Sequence, residues 1–335
     1  MWISRRNVFC QWSLVPCGDR QAGRAARSRL FCFGHKGRRT KDKGQRTPLP
    51  YCVALLAALC LVPSGFTVCA ASGLYQVTEI KPRVFAWVPD DILYQVGDPR
   101  FNRAGTAGFI LTSEGVVVVN TTNTPFAARD FLYEIRERTA QPVKYVIDTD
   151  PSGDHMLGNE VFVDQQAILI STSVALVKMR EYQADLKRRM EDDPRLRARM
   201  RGIHPTLPTQ TFENEMTLRL GGQEIKLLDL GKGASAGDGA VYLPAAKVIF
   251  LGDLYANGAI PYRGLTDIHA WLEILRQVET LNVELYVPGE GPPGDKTDLL
   301  EFQKFLEWAA AELKPSVLPG STPATSRAAR MASVQ

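Results

Sequence analysis

The chain has 335 residues, 45% hydrophobic and 23% charged, which is ordinary soluble-globular composition and excludes a wholly disordered or wholly membrane-embedded protein. Its formal net charge of +4 is unevenly spread: residues 1–70 carry twelve Lys/Arg against two acids, and the rest of the chain carries 28 against 34. The basic charge therefore belongs to a leader, and the acidic body is a poor match for nucleic acid.

All six cysteines (Cys10, Cys17, Cys32, Cys52, Cys60 and Cys69) also lie in the leader, so the body has no disulfide and no thiolate ligand. Residues 51–63 are an apolar run too short to span a bilayer, preceded by Lys41, Lys43 and Arg46 and followed by the small-residue pattern Val68-Cys69-Ala70. This reads as a secretory signal peptide cut near Ala70 or Ala71, which places the body in the periplasm or outside the cell. The alternative is an uncleaved anchor, which would be the body's one attachment to a membrane. Residues 1–70 are thus a basic leader and signal peptide, 71–314 a folded domain, and 315–335, rich in Pro, Ser, Thr and Ala, a disordered tail.

Within the body, Leu74 to Val88 alternates as one or two strands, and Pro82 argues against a central position in a sheet. Gly108 to Leu111 and Val116 to Val119 flank Ser113-Glu114-Gly115 as a hairpin, and the run of four valines calls for a sheet covered on both faces. A helix over Pro125 to Thr139 starts at Thr124, a good N-cap, with Pro125 in the first turn. Val143 to Ile147 and Ala167 to Ile170 read as strands, and Ser171 to Arg201 as a charged helical stretch broken at Asp193-Pro194. Two further hairpins follow, around Gly221-Gly222 and around Pro244-Ala245-Ala246. A helix from about Asp267 to Leu281, a strand Leu285 to Val287 and a helix from Thr297 to Lys314 close the domain. The order of strands and helices fits a layered α/β sandwich with outer helices.

Between the strand ending at Ile147 and the next helix lies Asp148-Thr149-Asp150-Pro151-Ser152-Gly153-Asp154-His155, with three carboxylates and an imidazole in eight residues. Asp, Pro, Ser and Gly are turn formers, so a plain turn is the competing reading. Three other strand ends carry polar residues: Gly231 to Asp238, Gly252-Asp253, and Gly289-Glu290-Gly291. Four such loops could converge on one edge of a sandwich, where folds place chemistry. Gly231-Lys232-Gly233 lacks a following phosphate-binding pattern, and neither a Ser-His-Asp arrangement nor a catalytic cysteine is visible.

Residues 74–314 resemble the metallo-β-lactamase superfamily. Five landmarks in order carry the resemblance: the hairpin Gly108 to Val119, the Asp154-His155 loop with Leu157-Gly158-Asn159, the Gly231 to Asp238 loop, Phe250-Leu251-Gly252-Asp253-Leu254, and Val287-Pro288-Gly289-Glu290-Gly291-Pro292. The resemblance implies an αβ/βα four-layer sandwich of two mixed β-sheets with outer helices. It also implies a hydrolase, and helical residues at about 171–204 as the variable insert that recognises substrate.

The chain departs from the family's metal motif. H-x-H-x-D-H falls on Asp150-x-Ser152-x-Asp154-His155, Ala234 stands at the third histidine, Glu290 replaces the last one, and Asn120 replaces the usual Asp of the V-V-D-T-G turn. Past the leader only His155, His204 and His269 remain, so a five-histidine dinuclear site is excluded by count, and the last two read as surface residues. The first metal site is dismantled. The second implies Asp154, His155, Asp253 and Glu290 as ligands of one divalent ion, Zn, Mn or Fe, with Asp150 and Asp154 as catalytic carboxylates. Two functions follow. One is an exported hydrolase of an ester, thioester or amide with a non-standard mononuclear site. The other is a metal-free pseudoenzyme that binds an unknown small molecule or a partner in the groove.

Overall fold

In the computed structural model the described residues are 75–90, 97–259, 261 and 267–312. The expected signal peptide and the C-terminal tail lie outside them. Strands β1 (Tyr75–Lys81) and β2 (Val84–Pro89) pair antiparallel, and Pro82 lies in the turn between them and in neither strand. β1 is the sheet edge, while β2 sits inside the sheet, between β1 and the next strand. Next come β3 (Ala107–Leu111) and β4 (Val116–Val119), then helix α1 (Pro125–Arg138), whose Thr124 Oγ1 accepts from Ala127 N at 3.2 Å. Strand β5 (Val143–Ile147) leads into the short helices α2 (Gly153–Met156) and α3 (Asn159–Val163), and β6 (Ile168–Thr172) into α4 (Ser173–Asp192). The chain breaks where Asp193 caps α5 (Pro194–Arg199), accepting from Arg195 N and Leu196 N, with Pro194 in the first turn.

Strands β7 (Gln210–Phe212), β8 (Glu215–Leu220), β9 (Gln223–Lys232), β10 (Ala236–Leu243) and β11 (Val248–Ala256) come next. Helix α6 (Ile268–Val278), β12 (Leu285–Glu290) and α7 (Lys296–Glu312) complete the described chain. The strands form two mixed sheets, ordered β1-β2-β3-β4-β5-β6-β7 and β12-β11-β10-β9-β8.

The four valines of β4 show how the layers are built. Side chains alternate along a strand, so Val116 and Val118 join Trp87, Phe109, Phe131 and Phe162 beneath α1 and α3, while Val117 and Val119 face Val241, Phe250 and Val287 of the second sheet. A third core of Trp271, Leu275, Phe302 and Leu306 packs α6 and α7 on the far face of the second sheet. The result is helix, sheet, sheet, helix. Among the described residues no helix is long and apolar enough to cross a membrane.

Several elements differ from the sequence reading. β7 was not anticipated, because three residues carry no period; it exists through its pairing with β6, Ile170 opposite Gln210. The expected eight-residue loop Gly231 to Asp238 is a short turn, with β9 running on to Lys232 and β10 beginning at Ala236. Asp253 lies inside β11 rather than beyond its end, and β12 runs through Pro288 and Gly289 to Glu290. Ser171 and Thr172 belong to β6, so the helices of the insert begin only at Ser173.

Candidate functional site

The two sheets deliver their strand ends to a common edge, and the polar residues meet there. The loop between β5 and α2 contributes Asp148, Thr149, Asp150 and Ser152, all with 1% exposure or less, and α2 contributes Asp154 and His155. The second sheet contributes Asp253 from β11 and Glu290 from the end of β12. Cross-links tie these segments together: Thr121 N donates to His155 O at 2.6 Å, Gly239 N to Thr149 O at 2.6 Å, and Thr106 N to Gly289 O at 2.7 Å.

His155 is fully buried at the middle of this centre. Its Nε2 is 2.9 Å from Asp253 Oδ1, 3.8 Å from Asp154 Oδ2 and 4.0 Å from Asp150 Oδ2. Ser152 Oγ donates to Asp253 Oδ2 at 2.9 Å, and Ser152 N to Asp150 Oδ1 at 2.9 Å. Asp150, His155 and Asp253 bring one ligand atom each to within 4.8 Å of one another. Asp154 and Glu290 line a cavity of about 190 Å³ beside them. His204 and His269 are exposed.

The carboxylates disturb one another. Burial pushes Asp154 upward, His155 opposes that, and Asp253, Asp150 and Glu290 add to it. Glu290 is raised by burial and by Asp253, against His155 and Arg103. At His155 burial lowers the pKa, but Asp150, Asp253 and Asp154 outweigh it and raise the imidazole well above its usual value. Such an anionic, half-closed centre is where perturbed groups and function coincide.

Strained backbone marks the same place. Asn120 and Thr122 sit at φ 62 and 72 after β4. That is uncommon for any side chain and an outlier for a β-branched one. Gly252 at φ 53 leaves no room for a Cβ, which would press on the Thr149 side chain and lie 2.9 Å from Asp150 Oδ2. Gly252→Ala is therefore expected to cost about 2–4 kcal/mol, from left-handed strain and overpacking together. An unchanged urea midpoint would count against this close packing.

The insert is tied to the rest of the domain through Asp98. Asp98, with no exposed surface, accepts from Arg189 Nη2 at 2.7 Å, Arg100 Nη2 at 3.0 Å and Tyr182 Oη at 3.2 Å. Burial would raise this carboxyl, but the bonds from Arg189 and Arg100 outweigh it and hold it below its usual value. The bonds fasten α4 to the Pro99–Phe101 turn. Between them lies a cavity of about 520 Å³ lined by Arg100, Pro151, Lys178, Tyr182, Ala234 and Ser235.

Two polar residues of the site, Thr149 and Asn159, escaped the sequence reading as participants, while Asp238 was read only as part of its loop. Thr149 and Asn159 act by hydrogen bonds to Asn120 and Asp148, whose partners are distant in sequence. Asp238 closes its own turn, accepting from Gly233 N and Ser235 N at 2.9 Å each, and burial raises its pKa to about 7. Its place after a glycine-rich stretch was the available signal.

Two mixed sheets back to back, helices outside and an acidic centre at their shared edge define the metallo-hydrolase class of αβ/βα sandwich. The chain belongs to the metallo-beta-lactamase superfamily, whose model matches residues 100–290. It is similar in structure to a metallo-beta-lactamase from Pontibacter korlensis, with TM-score 0.54 and 21% identity over 70% of this chain and 99% of that one. It is similar likewise to the DIM-1 metallo-beta-lactamase, with TM-score 0.52 and 17% identity over 70% of this chain and 98% of that one. The TMB-1 structure also matches, with TM-score 0.52 and 16% identity over 70% and 98%. No curated protein matches the sequence.

The superfamily implies a divalent metal, and the residues present fit one in a restricted sense. Ala234 offers no donor at the first site, and the Ser152 hydroxyl is engaged with Asp253. Among the described residues, those whose ligand atoms lie within 4.8 Å of one another are Asp150, His155 and Asp253, so Asp154 and Glu290 of the expected set stand outside that group. The carboxylates of Asp150 and Asp253 are hard donors of the kind that suit Mg²⁺ or Mn²⁺.

Proposed function

We propose that this chain is an exported hydrolase of a small ester, thioester or amide, whose centre holds a single hard divalent cation on carboxylate oxygens. The observation that carries the reading is Asp154. It is buried among Asp253, Asp150 and Glu290, which push its pKa up together with burial, a repulsion that a bound cation removes. Asp150 and Asp253, with Glu290, would hold the ion, which when bound would supply Lewis acidity for a carbonyl and lower the pKa of water, leaving Asp154 free as the base.

The chain's own groups do the rest. Ser152 Oγ and His155 Nε2 engage the two oxygens of Asp253, fixing its plane. Asp150 receives Ser152 N and Thr149 Oγ1, and stands 4.0 Å from His155 Nε2 as the inner carboxylate. Asp154, at the cavity wall, accepts the proton of the attacking water as its oxygen bonds to the acyl carbon. The proton then passes to the departing oxygen, sulfur or nitrogen as that bond breaks. Lys178 and Tyr182 of the insert line the 520 Å³ cavity, which shares Arg100 and Phe101 with the 190 Å³ cavity that Asp154 lines, and through that shared wall the insert would contribute to substrate contact. The leader fits export of this domain.

Titrating Mn²⁺ or Mg²⁺ into chelator-treated protein tests the reading. Binding should stabilise the fold by about 2.7 kcal/mol at a hundred times Kd, and Asp253→Ala should abolish the effect. No rise in melting temperature at millimolar cation rejects it. The pseudoenzyme reading, which Ala234 and Ser152 favour, then stands.

A further inference from the structure

In histidine metal centres the ring nitrogen facing away from the metal donates its proton to a carboxylate, carbonyl or water, leaving a lone pair on the ligating nitrogen. At His155 this polarity is reversed. Nδ1 lies 2.8 Å from Asn120 Nδ2. The direction of that amide is set from its other end, because the backbone N–H of Thr149 donates to Asn120 Oδ1 at 3.0 Å. A backbone N–H needs an oxygen, so the amide nitrogen must face the imidazole.

An amide NH₂ only donates, so Nδ1 must accept; Asp150, Asp253 and Asp154 favour a second ring proton, but at Nδ1 it would face the Asn120 N–H donors, and that contact opposes it. The neutral ring then carries its one proton on Nε2, which donates to Asp253 Oδ1 at 2.9 Å. Neither partner can turn away. Asn120 is 3% exposed with its own N–H bonded to Ile147 O at 2.9 Å, and a Cβ at Gly105 would already collide with the His155 ring.

We propose that Asn120 locks His155 in the Nε2–H tautomer. His155 is thereby a hydrogen-bond donor that orients Asp253 and is not a metal ligand, and the centre takes a hard cation through carboxylate oxygens rather than zinc through imidazole. Asn120 is a positioning residue acting through His155. Only the naming of the cation class rests on the hydrolase reading above; the tautomer stands on the hydrogen bonds alone.

Long-range ¹H–¹⁵N spectra of the full, chelator-treated chain labelled in histidine test this at pH 8, with His155 assigned by difference from His35→Gln, His204→Gln and His269→Gln. The expected spectrum has a protonated Nε2 and an unprotonated Nδ1 on His155, unshifted by stoichiometric ZnCl₂. Asn120→Asp should move the proton to Nδ1, let ZnCl₂ shift Nε2, and tighten zinc binding by roughly 10–100-fold. A wild-type ring protonated on Nδ1, or on both nitrogens, overturns the proposal, as does a zinc-induced shift of wild-type Nε2. Should Asn120→Asp fail to fold, the wild-type spectrum still decides. Nε2–H together with no uptake of Mg²⁺ or Mn²⁺ supports the role of Asn120 and rejects the hydrolase reading.

Discussion

Asp148→Asn is expected to stabilise the protein by roughly 2–4 kcal/mol at pH 8 and to change it little near pH 4. Asp148 is 1% exposed; its Oδ2 accepts from Asn159 Nδ2 at 2.8 Å, while its Oδ1 is buried with no hydrogen-bond partner among the described residues. Burial raises its pKa to about 7; Asn159 opposes that, Asp150 adds to it and His155 opposes it. A carboxyl whose folded pKa lies above its unfolded one binds its proton more tightly in the folded state. Its favourable contribution is complete below the unfolded value of 3.8 and is lost as pH rises to about 7. Asparagine keeps the oxygen that Asn159 needs and cannot ionise. Urea unfolding at pH 4 and pH 8 reads the difference, and an equal effect at both would show that Asp148 does not carry this cost.

Phe131→Ala is expected to destabilise by about 3–5 kcal/mol. The ring is fully buried where α1 meets the first sheet, with centroids 5.7 Å from Trp87, 5.9 Å from Phe109 and 6.0 Å from Phe162. Truncation removes the buried ring and opens a cavity among three other aromatics that are held by separate elements and cannot collapse into it. The melting temperature should fall by about 10 °C for a domain of this size. A loss below about 1 kcal/mol would mean that α1 is held chiefly by other contacts.

Much of the fold was legible because its signals are local. The four valines of β4 announced a doubly covered strand, Thr124-Pro125 marked the start of α1, and Asp193-Pro194 marked the break between α4 and α5. β7 was not legible, because a three-residue strand owes its existence to β6 beside it. The true ends of β9 and β12 were obscured by glycine and proline, which read as loop but are tolerated where bulges and register shifts occur, as at Asp238 and Gly252.

At the centre, the residue types Asp150, Asp154, His155, Asp253 and Glu290 could be picked out as chemistry-bearing from their places in the chain, and so could the loss of donors at Ser152 and Ala234. Those are facts about which atoms exist. What each atom does depends on what faces it. Only the folded chain sets Thr149 N–H against Asn120 Oδ1, and with it turns the Asn120 amide toward His155. A ring nitrogen can ligate or donate with the same residue name, and the choice is made by a hydrogen-bond partner that arrives from another strand.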